Sequence, residues 1–235
     1  MQPDTIGEKQ TYCGSPDPEA LARLFLPVRW NYYYSRSKLG SDPLYAAVAA
    51  ELRDSPRPLL DIGCGLGLFA FYLRACGHRA PILGVDYDGR KIAGANAAAA
   101  KAPRAEGVPA PEFRESDARD GLPDHCGDVA ILDILQFMPA SGQEALLAEA
   151  AARVAPGGAL VIRSGLCDGS WRYRITRAAD IFAKLTFWMK AAPSEYPTAG
   201  SIDAALTKAG LAGGAEPLWG KTPFNNYLLV YRRPA

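Results

Sequence analysis

Three glycines at alternate positions, Gly63, Gly65 and Gly67, stand in the stretch LLDIGCGLGLF (59–69), between an apolar run and a helix-like run. Glycine lets a chain turn tightly and lets another molecule approach the main chain closely. The N–H groups that open the following helix are unpaired donors, and they suit a carboxylate or a phosphate equally well. The chemistry on offer is therefore nucleotide binding. The dinucleotide fingerprint G-x-G-x-x-G needs its third glycine where this chain has Leu68, and Leu66 and Leu68 leave little room for a pyrophosphate. An acid, Asp86 in LGVDYD, follows about twenty residues on, where a carboxylate accepts hydrogen bonds from two ribose hydroxyls.

The elements that must position these residues alternate. PLLDIG (58–63), APILGVD (80–86), PEFRESD (111–117), DVAILD (128–133) and ALVIRS (159–164) read as strands. Helices are predicted over 66–76, 89–102 and 141–155. Such alternation means parallel pairing with helices on both faces. Further on come a helix at about 200–209 and two strands, GGAEPLW and NNYLLVYRR, whose short linker favours an antiparallel pair. The fold class is thus α/β: a doubly wound, mostly parallel seven-stranded sheet with an antiparallel last strand. Residues 1–18 read as a loose arm, 19–39 as helices interrupted near Pro27, and 43–53 as an apolar-faced helix. We divide the chain into a 1–54 arm and helical cap and a 55–235 Rossmann-like domain. A basic, aromatic, helical insertion spans about 165–197, and it and the N-terminal helices are expected to form a lid.

Bulk composition narrows the class. A chain of 235 residues, nearly half hydrophobic, makes one ordinary domain with a sizeable core. A formal net charge of +1 disfavours a nucleic-acid footprint over the whole surface. No [DN]-P-P-[YF] motif follows strand four. The five cysteines (13, 64, 76, 126 and 167) have no C-x-x-C spacing, and there are two histidines, His78 and His125. We expect reduced thiols, no metal site and a cytoplasmic location. The N-terminal MQPDTIGEKQ does not read as a signal peptide, and no apolar run reaches the roughly 20 residues of a membrane span.

Five segments in order now carry a resemblance. LLDIGCGLG, GVDYD, SDARDGLP (116–123), DVAILDILQFMP (128–139) and AARVAPGGALVI (151–162) resemble the five motifs of class I S-adenosylmethionine-dependent methyltransferases. The resemblance implies a methionine moiety against Gly63, Gly65 and Gly67. It implies that Asp61 fixes that loop and reaches the amino group through water. Asp86 would hold the ribose, with Tyr87 beside the adenine. Asp117 would accept from the adenine amino group, with the Ala118 N–H nearby. Asp133 and Ile134 would face the methionine or the reacting centre. Some relatives carry histidine where Phe137 stands, so a histidine base from that position is excluded.

A sulfonium methyl is already activated, so the protein mainly aligns an acceptor and excludes water. In the family the acceptor pocket comes from the N-terminal helices, the segments after strands four and five, and the last strand turn. RWNYYYSRSKLGSDPLY (29–45) holds five aromatics and three cations there. Tyr33, Tyr34, Arg36, Lys38, Phe137, Trp171, Thr222, Asn225 and Asn226 are the candidate acceptor contacts. Aromatics with cations suggest a flat or lipophilic acceptor bearing a carboxylate or phosphate.

NYYYSRSKLGSDPLY and PLWGKTPFNNYLLV also resemble, more loosely, methyltransferases encoded beside bacterial aryl-polyene pigment enzymes. That implies a hydroxylated aryl acid, or its thioester on a carrier, and for methylation at ring carbon a phenol deprotonated or polarised by Asp133, Tyr34 or Glu195. Helix 172–190, with Arg172, Arg174, Arg177, Lys184 and Lys190, also fits weak contact with a membrane surface, although core packing or a lid is favoured. A nicotinamide-dependent oxidoreductase and a non-enzymatic cofactor-binding scaffold are the competing readings. Leu68 and the lack of a Tyr-x-x-x-Lys matched to a later strand of such a fold weigh against the first, since YSRSK (34–38) lies ahead of the glycine loop. The intact loop and ribose acid weigh against the second.

Overall fold

The computed structural model describes residues 16–185 and 194–235. Seven strands form one sheet in the order β3-β2-β1-β4-β5-β7-β6. They are β1 (Leu59–Ile62), β2 (Ile82–Asp86), β3 (Glu112–Glu115), β4 (Asp128–Leu132), β5 (Ala159–Gly165), β6 (Ala212–Pro217) and β7 (Asn226–Arg232). The first five run parallel. Strand β7 is antiparallel to both its neighbours, so β6 points the same way as the first five. This is the predicted sheet.

Burial follows strand position. The central strands β1 and β5 are buried along their whole length, whereas β3, at one edge, buries only Phe113. Side chains alternate across the sheet. Leu59, Ala130 and Val161 belong to one core, packed on α3 (Leu44–Leu52), α4 (Leu68–Ala75) and α5 (Gly89–Lys101). Leu60, Ile131 and Ile162 belong to the other, packed on α6 (Ala140–Ala152) and α8 (Ala199–Lys208). Small side chains let α5 lie close: it buries Ile92, Ala95, Ala98 and Ala99, and Asp88 caps its start by accepting the Arg90 N–H. Thr198 and Ser201 form a reciprocal cap on α8.

The N-terminal segment is α1 (Pro18–Ala22), a 3-10 turn at Arg23–Phe25, and α2 (Arg29–Ser41). Residues 26–28, around Pro27, separate the turn from α2 as expected. Helix α7 (Trp171–Leu185) leaves the carboxyl end of β5. The predicted helix continues to 190, and its last part lies outside the described residues.

Candidate active site

The strand order reverses direction between β1 and β4, and open α/β sheets bind ligands beyond the carboxyl ends at such a point. The glycine loop follows β1 and Asp133 follows β4. The loop is held by its own main chain: the N–H groups of Gly63 and Cys64 donate to the Val85 carbonyl at 2.8 and 3.0 Å. Gly63, Gly65 and Gly67 all have left-handed backbones, with φ of 76°, 56° and 72°. Their reasons differ. A Cβ on Gly63 would strike the Ile134 side chain at 2.4 Å, and one on Gly67 the Phe113 ring at 2.4 Å. A Cβ on Gly65 would meet only Lys91 at 3.9 Å. Two glycines are therefore demanded by packing, and Gly65 is the one that leaves main chain open to a ligand.

Asp61 lies behind this loop, 1 % exposed, and neither carboxylate oxygen has a hydrogen-bond partner among the described residues. Burial, with the nearby charge of Asp86, pushes its carboxyl up to about 7. An unpartnered buried carboxylate is costly unless a cation or donor arrives. Asp86 is also buried, and main chain orients it: Oδ2 accepts the Gly65 N–H and Oδ1 the Asp88 N–H, both at 2.9 Å. Tyr87 beside it is exposed. Cys64 is no nucleophile, because burial pushes its thiol upward.

The raised carboxyl makes stability pH-dependent. Between about pH 4, where an unfolded carboxylate titrates, and pH 7, the folded chain holds a proton that the unfolded chain releases. This contribution is complete below that window and is lost as pH rises through it. Asp61→Asn removes the dependence. In urea unfolding without ligand, the variant is expected to be more stable than the parent at pH 8, by on the order of a few kcal/mol, and equal to it near pH 4. A difference that does not change with pH would remove this account.

Asp117 is engaged with Arg119. Its carboxylate accepts the Arg119 main-chain N–H at 2.9 Å and the guanidinium through both oxygens, and these bonds hold it below the usual carboxylate range. Accepting from an adenine amino group requires Arg119 to share or yield. Ala118 is half-buried and packs toward the α6 side.

At the end of β4 the structure reveals a cluster not anticipated from sequence. Arg163 enters from β5 with a side chain 8 % exposed and bridges two carboxylates. One guanidinium nitrogen bonds Asp133, and the other reaches both oxygens of Asp42 at 3.3 and 3.4 Å. Lys38 donates to Asp42 at 3.1 Å and lies 3.9 Å from Asp133. Burial works against the Lys38 ammonium, but Asp133 and Asp42 outweigh it and leave its pKa raised. Asp42 is likewise held low by Arg163 and Lys38 against its burial. Asp133 also has φ of 63°, a left-handed backbone that costs a non-glycine residue energy and points to over-determination by its neighbours. Its carboxylate is thus a brace for Arg163, not the free base the sequence suggested.

Other expected contacts divide. Tyr34, one helical turn before Lys38, shares its face of α2. Tyr33 and Arg36 do not: Arg36 pairs with Glu19 at 2.7 Å on the far side of α2, and Tyr33 borders the same outer hollow. Asn225 is 0 % exposed, bonded to the Leu166 carbonyl and the Thr176 hydroxyl, so it ties β7 to α7 and cannot meet an acceptor. The Thr222 hydroxyl donates to the Trp219 carbonyl, and Asn226 is half-buried at the start of β7 opposite Gly165. Phe137 is partly exposed in the turn after β4. Trp171 is exposed, and the Arg172 guanidinium stacks on it and on Trp219 at 4.8 and 4.5 Å. Glu195 accepts the Ala140 N–H at 3.1 Å, so its carboxylate caps the start of α6. Among the described residues there is no metal-binding cluster, and no helix is long and apolar enough to cross a membrane.

Comparison with known proteins agrees with this geometry. Residues 59–158 match a family described as a methyltransferase domain. The ribosomal protein L11 methyltransferase of Burkholderia lata is 26 % identical over 169 residues, 69 % of this chain and 50 % of the relative. The chain therefore spans about half the length of the curated relatives it matches. Magnesium protoporphyrin IX methyltransferase from Synechocystis PCC 6803, solved with bound S-adenosylhomocysteine, superposes with a TM-score of 0.64 at 18 % identity, covering 86 % of this chain and 87 % of its own. An O-methyltransferase family protein from Burkholderia thailandensis gives 0.61 at 20 % identity, covering 94 % and 64 %. Residues 59–158 are thus similar to a methyltransferase domain, and the chain shares its fold with solved methyltransferases.

Proposed function

We propose that the chain binds S-adenosylmethionine and moves its methyl group to a small aromatic or lipophilic acceptor. One observation carries the cofactor assignment: a buried carboxylate without a partner, Asp61, behind an open glycine main chain whose neighbour Asp86 is pre-oriented. The residues fit the cofactor. Asp61 offers a counter-charge for its ammonium group, Gly65 an unobstructed backbone, Asp86 the acceptors for its ribose diol, and Tyr87 a ring for its adenine. The cofactor supplies an activated methyl; the chain holds it, orients the acceptor and excludes water.

The acceptor reading rests on the rim. Tyr34, Phe137 and the Trp171–Arg172–Trp219 stack ring the carboxyl end with aromatic surface. Helices α2 and α7 are its covers. A hydroxylated aryl acid, free or as a carrier-bound thioester of aryl-polyene synthesis, fits that surface. Cytoplasmic residence accords with Cys64, Cys76, Cys126 and Cys167 being free.

Calorimetry with S-adenosylmethionine and with NAD tests the reading. We expect saturable binding of the first and none of the second. Binding of NAD alone would return the nicotinamide-dependent oxidoreductase. With the first, affinity should rise as pH climbs through 7, because Asp61 must ionise to meet an ammonium.

A further inference from the structure

Resting on that reading, we infer that the acceptor arrives as an oxyanion, an aryl carboxylate or phenolate, with the Lys38 ammonium as its counter-ion.

The groups that could take a proton at the mouth are few. Asp42 and Asp133 face it, from the end of α2 and the end of β4. Both are tied to one buried guanidinium, Arg163. Protonating either would break its pair and leave that guanidinium half-compensated in a buried place, which is costly. Lys38 stays an ammonium between the same two carboxylates. Tyr34 and Tyr45 complete the titratable groups that face the cluster, and burial pushes the Tyr45 hydroxyl well upward. Glu195 caps α6, and the histidines bond main-chain carbonyls elsewhere: His78 that of Leu52, His125 that of Asp128. Among the described residues no group at this mouth stands ready as a base. A nucleophile with no proton to lose needs none.

Charge then selects among such nucleophiles. Lys38 and Arg163 balance Asp42 and Asp133, so the four side chains sum to zero. The sulfonium then presents an unbalanced positive charge to the acceptor beside them, which favours an acceptor with one negative charge. Of the two cations, Arg163 is buried between both carboxylates, whereas Lys38 is 33 % exposed and its ammonium has N–H donors beyond the one given to Asp42.

The transfer balances without a base. An oxygen lone pair of the acceptor forms the new O–CH3 bond as the S–CH3 bond breaks. The bonding pair stays on sulfur, which becomes a neutral thioether. Anion and sulfonium give two neutral products, and no proton moves. Because charge is cancelled on the way, an aromatic, water-poor rim favours the transition state over the separated ions. Lys38 acts on binding: it stabilises the oxyanion before reaction and less so as the charge disappears.

The test uses the full chain loaded with sinefungin, which keeps a positive amine where the sulfonium would be. Benzoate and 4-nitrophenolate are the anionic probes and 4-nitroanisole the neutral one. We expect at least one anion to bind more tightly than 4-nitroanisole, and Lys38→Gln to weaken that anion about tenfold while leaving 4-nitroanisole unchanged. Lys38→Arg should restore most of the loss. The tighter anion tells carboxylate from phenolate. Where a probe is methylated, Lys38→Gln should raise KM far more than it lowers kcat. Equal affinity for anions and the neutral ether, no binding of either anion, or indifference to Lys38→Gln overturns the inference. Failure of sinefungin itself to bind strikes the cofactor reading, and this inference falls with it.

Discussion

Asp86→Ala is expected to weaken S-adenosylmethionine binding about 100-fold or more, because a single buried carboxylate does two things at once. Its oxygens hold the Gly65 and Asp88 N–H groups and are thereby aimed, which leaves their remaining lone pairs for the ribose diol of the proposed donor. Hydrogen bonds to a charged group contribute roughly 1.5–3 kcal/mol each, so two of them account for the factor. The alanine variant also frees the Gly65 N–H at the one glycine whose backbone lies open. Asp86→Asn should lose nearly as much, since its amide nitrogen cannot accept from either partner. Titration calorimetry checks both variants, and a loss below about threefold would mean that the donor lies elsewhere.

Arg163→Met carries the second large effect, on stability. Without the guanidinium, Asp42 and Asp133 face one another with Lys38 as their remaining partner. Removing one member of a buried ion pair typically costs about 3–5 kcal/mol, because an uncompensated charge is left behind. Urea unfolding should show that loss at neutral pH. The triple variant Arg163→Met, Asp42→Asn, Asp133→Asn should recover most of it, since the penalty lies in the stranded charge and not in missing volume. If the single variant unfolds within about 1 kcal/mol of the parent, the four charges are not acting as a clasp between α2 and the strand ends.

Reading the sequence succeeded where local pattern decides. Strand–helix alternation defines the sheet, and the spacing of Gly63, Gly65 and Gly67 places the loop, because both signals are periodic and short-ranged. It failed where partners lie far apart in sequence. Helix α2, RWNYYYSRSKLGS, has no clear apolar stripe to show its phase, and Arg36, expected beside Lys38, pairs with Glu19 instead. Asn225 read as a polar rim residue and is instead a buried tie. Arg163 did leave a sign: an arginine inside the apolar run ALVIRS of a central strand must be buried, and a buried charge needs a partner. Its partners, Asp42 and Asp133, are 121 and 30 residues away, which no local window spans.

The two rims of the sheet bear on behaviour at high concentration. Strand β3 presents Glu112, Arg114 and Glu115 outward with a single apolar residue turned in. Strand β6, AGGAEP, offers no large apolar side chain and stops at Pro217, which has no N–H to lend. Charged or featureless rims make poor templates for a second chain. Neither margin invites lateral growth into ribbons, so self-association through added strands is disfavoured by the same sheet that carries the glycine loop.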